Sequence, residues 1–320
     1  MEPDLDTCSS KYRNDLPQLT GGPFITDGGM ETTLIFHEGF ELPYFAAFDL
    51  MRYPIGRSAI EKYYQEYLSI AKKYQVGFIL ESPTWRSSPD WGEKLGYSKN
   101  ELWDVNQQSI KLLEEIRIKF EDESTSIVIS GCIGPRGDGY NPGQRMSIEE
   151  AEEYHSFQIN AFSQACADLV TALTISYTQE AIGIVKAAQK ADVPVVISFT
   201  LETDGKLPSG ETLQTAIETV DAATNFGAAY YMINCAHPTH FEKVLRKEGG
   251  WKSRLRGVRA NASRLSHAEL DEAENLDDGI PQELGLQYSE LFKILPNATV
   301  WGGCCGTDHR HIEEISKACT

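Results

Sequence analysis

Three cysteines stand where this chain could do chemistry: Cys235 in Ile233-Asn234-Cys235-Ala236-His237-Pro238, and the adjacent pair Cys304 and Cys305 in Trp301-Gly302-Gly303-Cys304-Cys305-Gly306-Thr307-Asp308. Each group follows a short β-type run, which predicts a thiol where a strand ends and a loop begins. Three thiolates bind one zinc ion and leave its fourth tetrahedral position open, the arrangement of a catalytic site rather than a structural one. Gly302, Gly303 and Gly306 supply the backbone freedom that two adjacent ligands on one ion require. The competing readings are ordinary buried thiols or a redox pair, and adjacent cysteines bridge only with strained geometry. His237, His309 and His311 offer a mixed Cys/His set, but positions two apart on a helix do not share a face, so His309 and His311 make poor joint ligands. His237, just before Pro238, suits a helix start.

Carboxylates and amides follow the same placement. Asp27, Glu81 and Glu202 fall after the first, second and fifth predicted strands, and Gly28 and Gly29 beside Asp27 permit a ligand to approach the backbone closely. Asn234 and Asn261, each at a strand end, are candidates for hydrogen bonds to a substrate carboxylate. Trp85 and Trp91, in Pro83-Thr84-Trp85-Arg86-Ser87-Ser88-Pro89-Asp90-Trp91, offer ring faces to a cationic ligand or close the mouth of the fold by packing. The glycine-rich segment 134–143, which includes Tyr140, has the length of a lid and does not match a P-loop.

What must position these residues is a regular alternation of β-branched runs and amphipathic helices. Strands are predicted at Phe24 to Asp27, Gly77 to Glu81, Ile127 to Cys132, Asp168 to Leu173, Pro194 to Phe199, Ala229 to Asn234, Arg256 to Asn261 and Thr299 to Gly302. Helices are expected at 58–73, 99–120, 147–166, 179–190, 211–226, 239–247, 281–294 and 309–317, with Ser147 and Glu150 forming a capping box. Eight such units predict an α/β fold, a single (β/α)8 barrel over 21–320, with the active site at the C-terminal ends of the strands. An open doubly wound sheet also alternates strands and helices, but no Gly-rich dinucleotide fingerprint follows the first strand. Residues 1–20 read as a flexible tail, and the acidic segment 267–278 as a solvated helix or loop.

The motifs Gly302-Gly303-Cys304-Cys305-Gly306-Thr307, Asn234-Cys235 and Thr26-Asp27-Gly28-Gly29-Met30-Glu31-Thr32 resemble those of the homocysteine S-methyltransferase family, zinc-dependent thiol methyltransferases on an eight-stranded barrel, over nearly the whole chain. The resemblance implies that Cys235, Cys304 and Cys305 hold Zn²⁺ and that Asp27 contacts the amino group of homocysteine. In the family a glutamate near the end of the fourth strand also holds that group; here Leu173 stands in its place, with Glu81 or Glu202 as a candidate substitute. Trp85, Glu202 and Tyr140 are candidate donor or lid contacts. A thiol with a pKa near ~8.5 loses its proton on binding zinc, so the expected step is methyl transfer from a sulfonium or quaternary ammonium donor to sulfur. S-methylmethionine, S-adenosylmethionine and betaine all qualify. A thiol- or zinc-binding protein without catalysis, and a zinc lyase or hydrolase on the same barrel, are the alternative readings.

Bulk properties agree with a small-molecule enzyme. A net charge of -18 repels phosphate backbones and anionic headgroups, which disfavours nucleic acid and membrane surfaces as partners. The polar N-terminus lacks a secretory h-region and the longest apolar stretch is far below ~20 residues, so a cytoplasmic protein is expected. Seven cysteines, an odd number scattered over 320 residues, point to reduced thiols, with Cys132 and Cys166 as buried small hydrophobes and Cys8 and Cys319 near the termini. Oligomeric state is left open by the sequence.

Overall fold

Eight strands pair in parallel in sequence order: β1 (Phe24–Ile25), β2 (Gly77–Glu81), β3 (Ile127–Ile133), β4 (Leu169–Ile175), β5 (Val195–Phe199), β6 (Tyr230–Asn234), β7 (Leu255–Ala260) and β8 (Val300–Gly303). The sheet closes where Phe24 of β1 lies opposite Val300 of β8 and Ile25 opposite Trp301. The computed structural model describes residues 10–273 and 275–319, and its architecture is the expected (β/α)8 barrel. Helices Pro54–Tyr74, Lys99–Phe120, Ile148–Gln164, Thr178–Lys190, Leu213–Thr224, Pro238–Leu245, Pro281–Ile294 and His309–Cys319 follow the strands in turn. Ser147 accepts from the Glu150 amide at 3.2 Å while the Glu150 carboxylate accepts from the Ser147 amide at 2.7 Å, so the predicted capping box forms.

The two-residue period of a strand sorts its side chains between two apolar layers. Phe24, Ile79, Val128, Leu169, Val196, Met232 and Val300 form one buried cluster, and their strand neighbours Ile25, Phe78, Ile129, Val170, Ile197, Ile233 and Trp301 belong to another that includes the helices. The first cluster fills the barrel interior and the second is the sleeve between strands and helices. Farther along the same inward rows the residues turn polar: Glu81, Ser130, Thr171, Ser198, Asn234 and Arg259 are all buried. The interior is therefore greasy at its N-terminal end and hydrogen-bonded at its C-terminal end, with Ser130 paired to Thr171 at 2.8 Å and Ser198 to Asn234 at 2.7 Å.

Residues 10–20 differ from the expected flexible tail. Leu16 joins the inner apolar cluster, Gln18 donates to the Tyr230 hydroxyl at 3.4 Å, and Arg13 donates to the carbonyls of Ser163 and Ala167. The greasy end of the barrel needs a cover, and this segment provides it; residues 1–9 lie outside the described residues. A second correction concerns Cys166, which is disulfide-bonded rather than a reduced thiol, whereas Cys132 and Cys319 are free and buried; Cys8 lies outside the described residues. No helix among the described residues is long and apolar enough to cross a membrane.

One buried ion pair ties this end together. Asp168, fully buried just before β4, accepts from Arg117 Nη1 at 2.6 Å, from the Ile129 amide at 2.8 Å and from the Tyr12 amide at 2.8 Å. Replacing Asp168 with alanine strands the Arg117 charge and two amides, and is expected to cost about 3–5 kcal/mol. A urea titration checks this, and thiol reactivity at the opposite end of the barrel should be unchanged in the folded variant.

Candidate active site

At the C-terminal end of the barrel the three cysteines meet. Cys235 follows β6 directly, with its amide bonded to the Arg259 carbonyl of β7 at 3.1 Å; Cys304 follows β8, with its amide bonded to the Ala260 carbonyl at 2.9 Å. Cys235 adopts a left-handed backbone (φ 57°), which is rare for a residue with a side chain and turns its thiol off the line of the strand. The sulfurs lie 3.1 Å (Cys235 to Cys304) and 3.6 Å (Cys235 to Cys305) apart, and all three within 4.8 Å of one another. Tetrahedral Zn–S bonds of ~2.3 Å put sulfurs roughly 3.8 Å apart, so the donor set and its spacing fit a zinc ion.

Charge is arranged for a cation as well. The Cys304 thiol is held well below the usual range, first by hydrogen bonds from Cys235 and Cys305 and then by Arg259 and Asn234, while the same contacts push Cys305 up. The Tyr140 hydroxyl lies 3.3 Å from Cys235 Sγ and 3.9 Å from Cys305 Sγ, and burial beside the sulfurs pushes its phenol up, so it stays a donor. Tyr140 comes from the predicted lid segment and stacks on His267 at 3.9 Å between ring centroids. His267 Nε2 in turn sits 2.7 Å from the Cys235 carbonyl.

Close approach of backbone explains the glycines. A Cβ on Gly29 would lie 2.7 Å from the Cys304 carbonyl oxygen, and one on Gly28 would lie 2.6 Å from the Thr307 carbonyl oxygen. The Gly29 amide donates to Thr307 at 2.9 Å and the Thr307 hydroxyl to Cys304 at 2.7 Å, so the loop after β1 is the bed on which the cysteine pair rests.

The sulfurs open onto a cavity of about 570 Å³ lined by Asp27, Glu31, Glu81, Trp85, Arg86 and Leu173, among others. Its predicted acidic residues are not free. Arg259, 4% exposed and unnoticed in the sequence, donates to Asp27 Oδ1 at 2.6 Å, to Glu81 Oε2, to the Gly303 carbonyl at 3.0 Å and to the Gly28 carbonyl at 3.3 Å. Tyr63 donates to the other Asp27 oxygen at 3.1 Å. An arginine in the middle of a buried parallel strand was the available signal, since such strands otherwise read as apolar runs. Burial pushes the Glu81 carboxyl up to about 7, with Arg259 opposing the rise and Asp27 adding to it.

The remaining candidates divide. Asn234 lines the cavity, but its amide is committed to Thr174, Ser198 and, at 3.8 Å, Cys304 Sγ. Asn261 is buried outside the cavity lining, with its backbone N–H bonded to the Ala236 carbonyl. Glu202 pairs with His267 Nδ1 at 3.2 Å and does not line the cavity. Trp85 lines the wall, yet the face expected to attract a cationic ligand already holds one: the Arg86 guanidinium lies 4.1 Å from both the Trp85 and Trp91 centroids. The rival histidines stay apart from the sulfurs. His237 caps the helix Pro238–Leu245, His309 lies 3.6 Å from Glu66, and His311 pairs with Asp308. The acidic segment 267–278 is more than solvated surface, because Leu270, Leu276 and Asp277 form part of the cavity wall.

Comparison with known proteins agrees with this geometry. Residues 24–319 match the family model described as homocysteine S-methyltransferase. Homocysteine S-methyltransferase 1 of Brassica oleracea var. italica is 25% identical over 330 residues, 96% of this chain and 97% of the relative; its Arabidopsis thaliana counterpart is 24% identical with the same coverage. The oxidized form of the homocysteine methyltransferase MmuM from Escherichia coli superposes with a TM-score of 0.74, covering 92% of this chain and 95% of its own, and the metallated form with 0.73, each at 18% identity. That likeness shows a shared barrel.

Two outcomes are expected here. Gly29→Ala should push back the Cys304 loop and weaken metal retention about 10-fold or more, measured by competition with a chelator. For Glu81 the folded value is raised, so the stability tied to its protonated form is full below its ordinary value of 4.5 and lost as pH rises through about 7. The urea midpoint should therefore decline between about pH 5 and pH 8, and Glu81→Gln should flatten that decline.

Proposed function

The chain belongs to the homocysteine S-methyltransferase family, and from that premise we propose that it moves a methyl group from a cationic donor to the sulfur of homocysteine or a closely related small thiol, with Zn²⁺ held by Cys235, Cys304 and Cys305. The observation that carries this reading is the convergence of three sulfurs from the ends of β6 and β8 on one cavity. Zinc, when bound, supplies the Lewis acidity that lets an acceptor thiol lose its proton near neutral pH.

The chain's own residues do the rest. The sulfurs line a cavity whose volume suits small-molecule ligands. Asn234 fixes Cys304 from one side and Thr174 from the other, which keeps the wall beside the sulfurs in place. Tyr140 covers Cys235 from the lid side and keeps bulk water from it. Methyl transfer itself needs no further proton: the acceptor sulfur supplies the electron pair of the new S–CH3 bond, and the pair of the broken bond stays on the donor heteroatom, which becomes neutral. A sulfonium such as S-methylmethionine or S-adenosylmethionine, or a quaternary ammonium such as betaine, meets that requirement, and homocysteine would become methionine.

Replacing Cys304 with serine tests the reading. Zinc per chain, measured by elemental analysis, should fall well below one, and methyl transfer to homocysteine should drop by at least ~100-fold while the barrel stays folded. Full transfer by a zinc-free variant would rule the proposal out.

A further inference from the structure

The cavity holds two ionisable side chains that its own walls leave incompletely paired: Glu31, whose carboxyl burial pushes up to about 7, and Arg86. Glu31 lines it on the side of the β1 loop, and among the described residues its half-buried carboxylate has no cation or donor in contact beyond its own backbone N–H. Asp27 and Glu81, by contrast, are held by Arg259 and Tyr63, and Asp277 by Ser263 at 2.6 Å and the Gly279 amide at 3.1 Å. Arg86 lines the same cavity at 6% exposure, clamped between Trp85 and Trp91. It donates to the Gly137 carbonyl at 2.8 Å, its Nε has no acceptor, and its nearest carboxylate, Asp138, is 3.9 Å away. Glu31 and Arg86 interact through space without forming an ion pair.

A buried charge without a partner is costly to keep unless something else meets it. Two incompletely paired groups of opposite type, both lining the cavity that also holds the three sulfurs, match a ligand carrying an ammonium and a carboxylate. We propose that Glu31 and Arg86 are the recognition pair for the α-amino acid end of a ligand, Glu31 taking the ammonium and Arg86 the carboxylate, because Arg259 has withdrawn Asp27 and Glu81 from that task and Leu173 offers no charge. The inference rests on the methyltransferase reading for the identity of the ligand, but its test does not need turnover.

The acceptor and the donor S-methylmethionine share this zwitterionic end, and binding measurements separate them. Calorimetry on the zinc-loaded protein without any donor compares homocysteine, 4-sulfanylbutanoate, which lacks the amino group, and 3-aminopropane-1-thiol, which lacks the carboxylate. Glu31→Gln should weaken homocysteine about 10- to 100-fold and leave 4-sulfanylbutanoate unchanged. Arg86→Gln should weaken homocysteine and 4-sulfanylbutanoate but not 3-aminopropane-1-thiol. The same selective losses with S-methylmethionine in place of homocysteine would support the pair and assign it to the donor. If each variant weakens all ligands equally, or none, the inference is overturned; melting temperature and zinc content equal to the parent's identify variants that are folded and loaded. A parent protein that binds homocysteine but transfers no methyl group to it would sink the proposed function and leave this result standing.

Discussion

The buried guanidinium of Arg259 is the interaction on which the catalytic end of the barrel depends. From β7 it reaches Asp27 and Gly28 after β1, Glu81 at the end of β2 and Gly303 at the end of β8. One side chain thereby joins four strands beside the sulfurs, and it supplies the positive charge that lets two acidic side chains lie buried next to Cys304. Without it, Asp27, Glu81 and Cys304 would place three acidic groups in one desolvated region. Burial of that kind is sustainable only when the charges are paired and hydrogen-bonded.

That cation also sets what the cavity can recognise. Carboxylates bound to an internal arginine cannot also serve a ligand ammonium at full strength, so recognition falls to groups that remain uncommitted. The aromatic residues follow the same logic. Trp85 and Trp91 spend their faces on Arg86, and Lys94 lies 3.8 Å from the Trp91 centroid. The rings thus immobilise the protein's own cations, which makes Arg86 a rigid element of the wall rather than a long side chain that must be ordered on binding.

The polarity gradient inside the barrel explains why these features coexist with a stable fold. Inward residues near the N-terminal end are apolar and sealed by Leu16, so the hydrophobic core there does not depend on the chemistry above it. Near the C-terminal end the inward rows carry polar and charged groups that satisfy one another, and the backbone at Thr174 and Cys235 takes left-handed conformations to bring side chains into place. The apolar layers below and around hold that strain in place.

The sequence by itself determined the alternation of eight strands and helices, and with it the barrel, because each depends on short-range periodicity. It also determined that Cys235, Cys304 and Cys305 would end on one rim, since parallel strands of a closed barrel share their C-terminal edge. What Asp27 and Glu81 face was decided only by tertiary structure: Arg259 is 232 residues from one and 178 from the other, and nothing local marks it as their partner. The same holds for the clamp of Trp85 and Trp91 on Arg86, for the packing of residues 10–20 over the far end, and for the 267–278 segment in the cavity wall. Periodicity reports which face of an element is buried; which charges meet there is a property of the closed barrel, where side chains distant along the chain share a few ångströms of low-dielectric space.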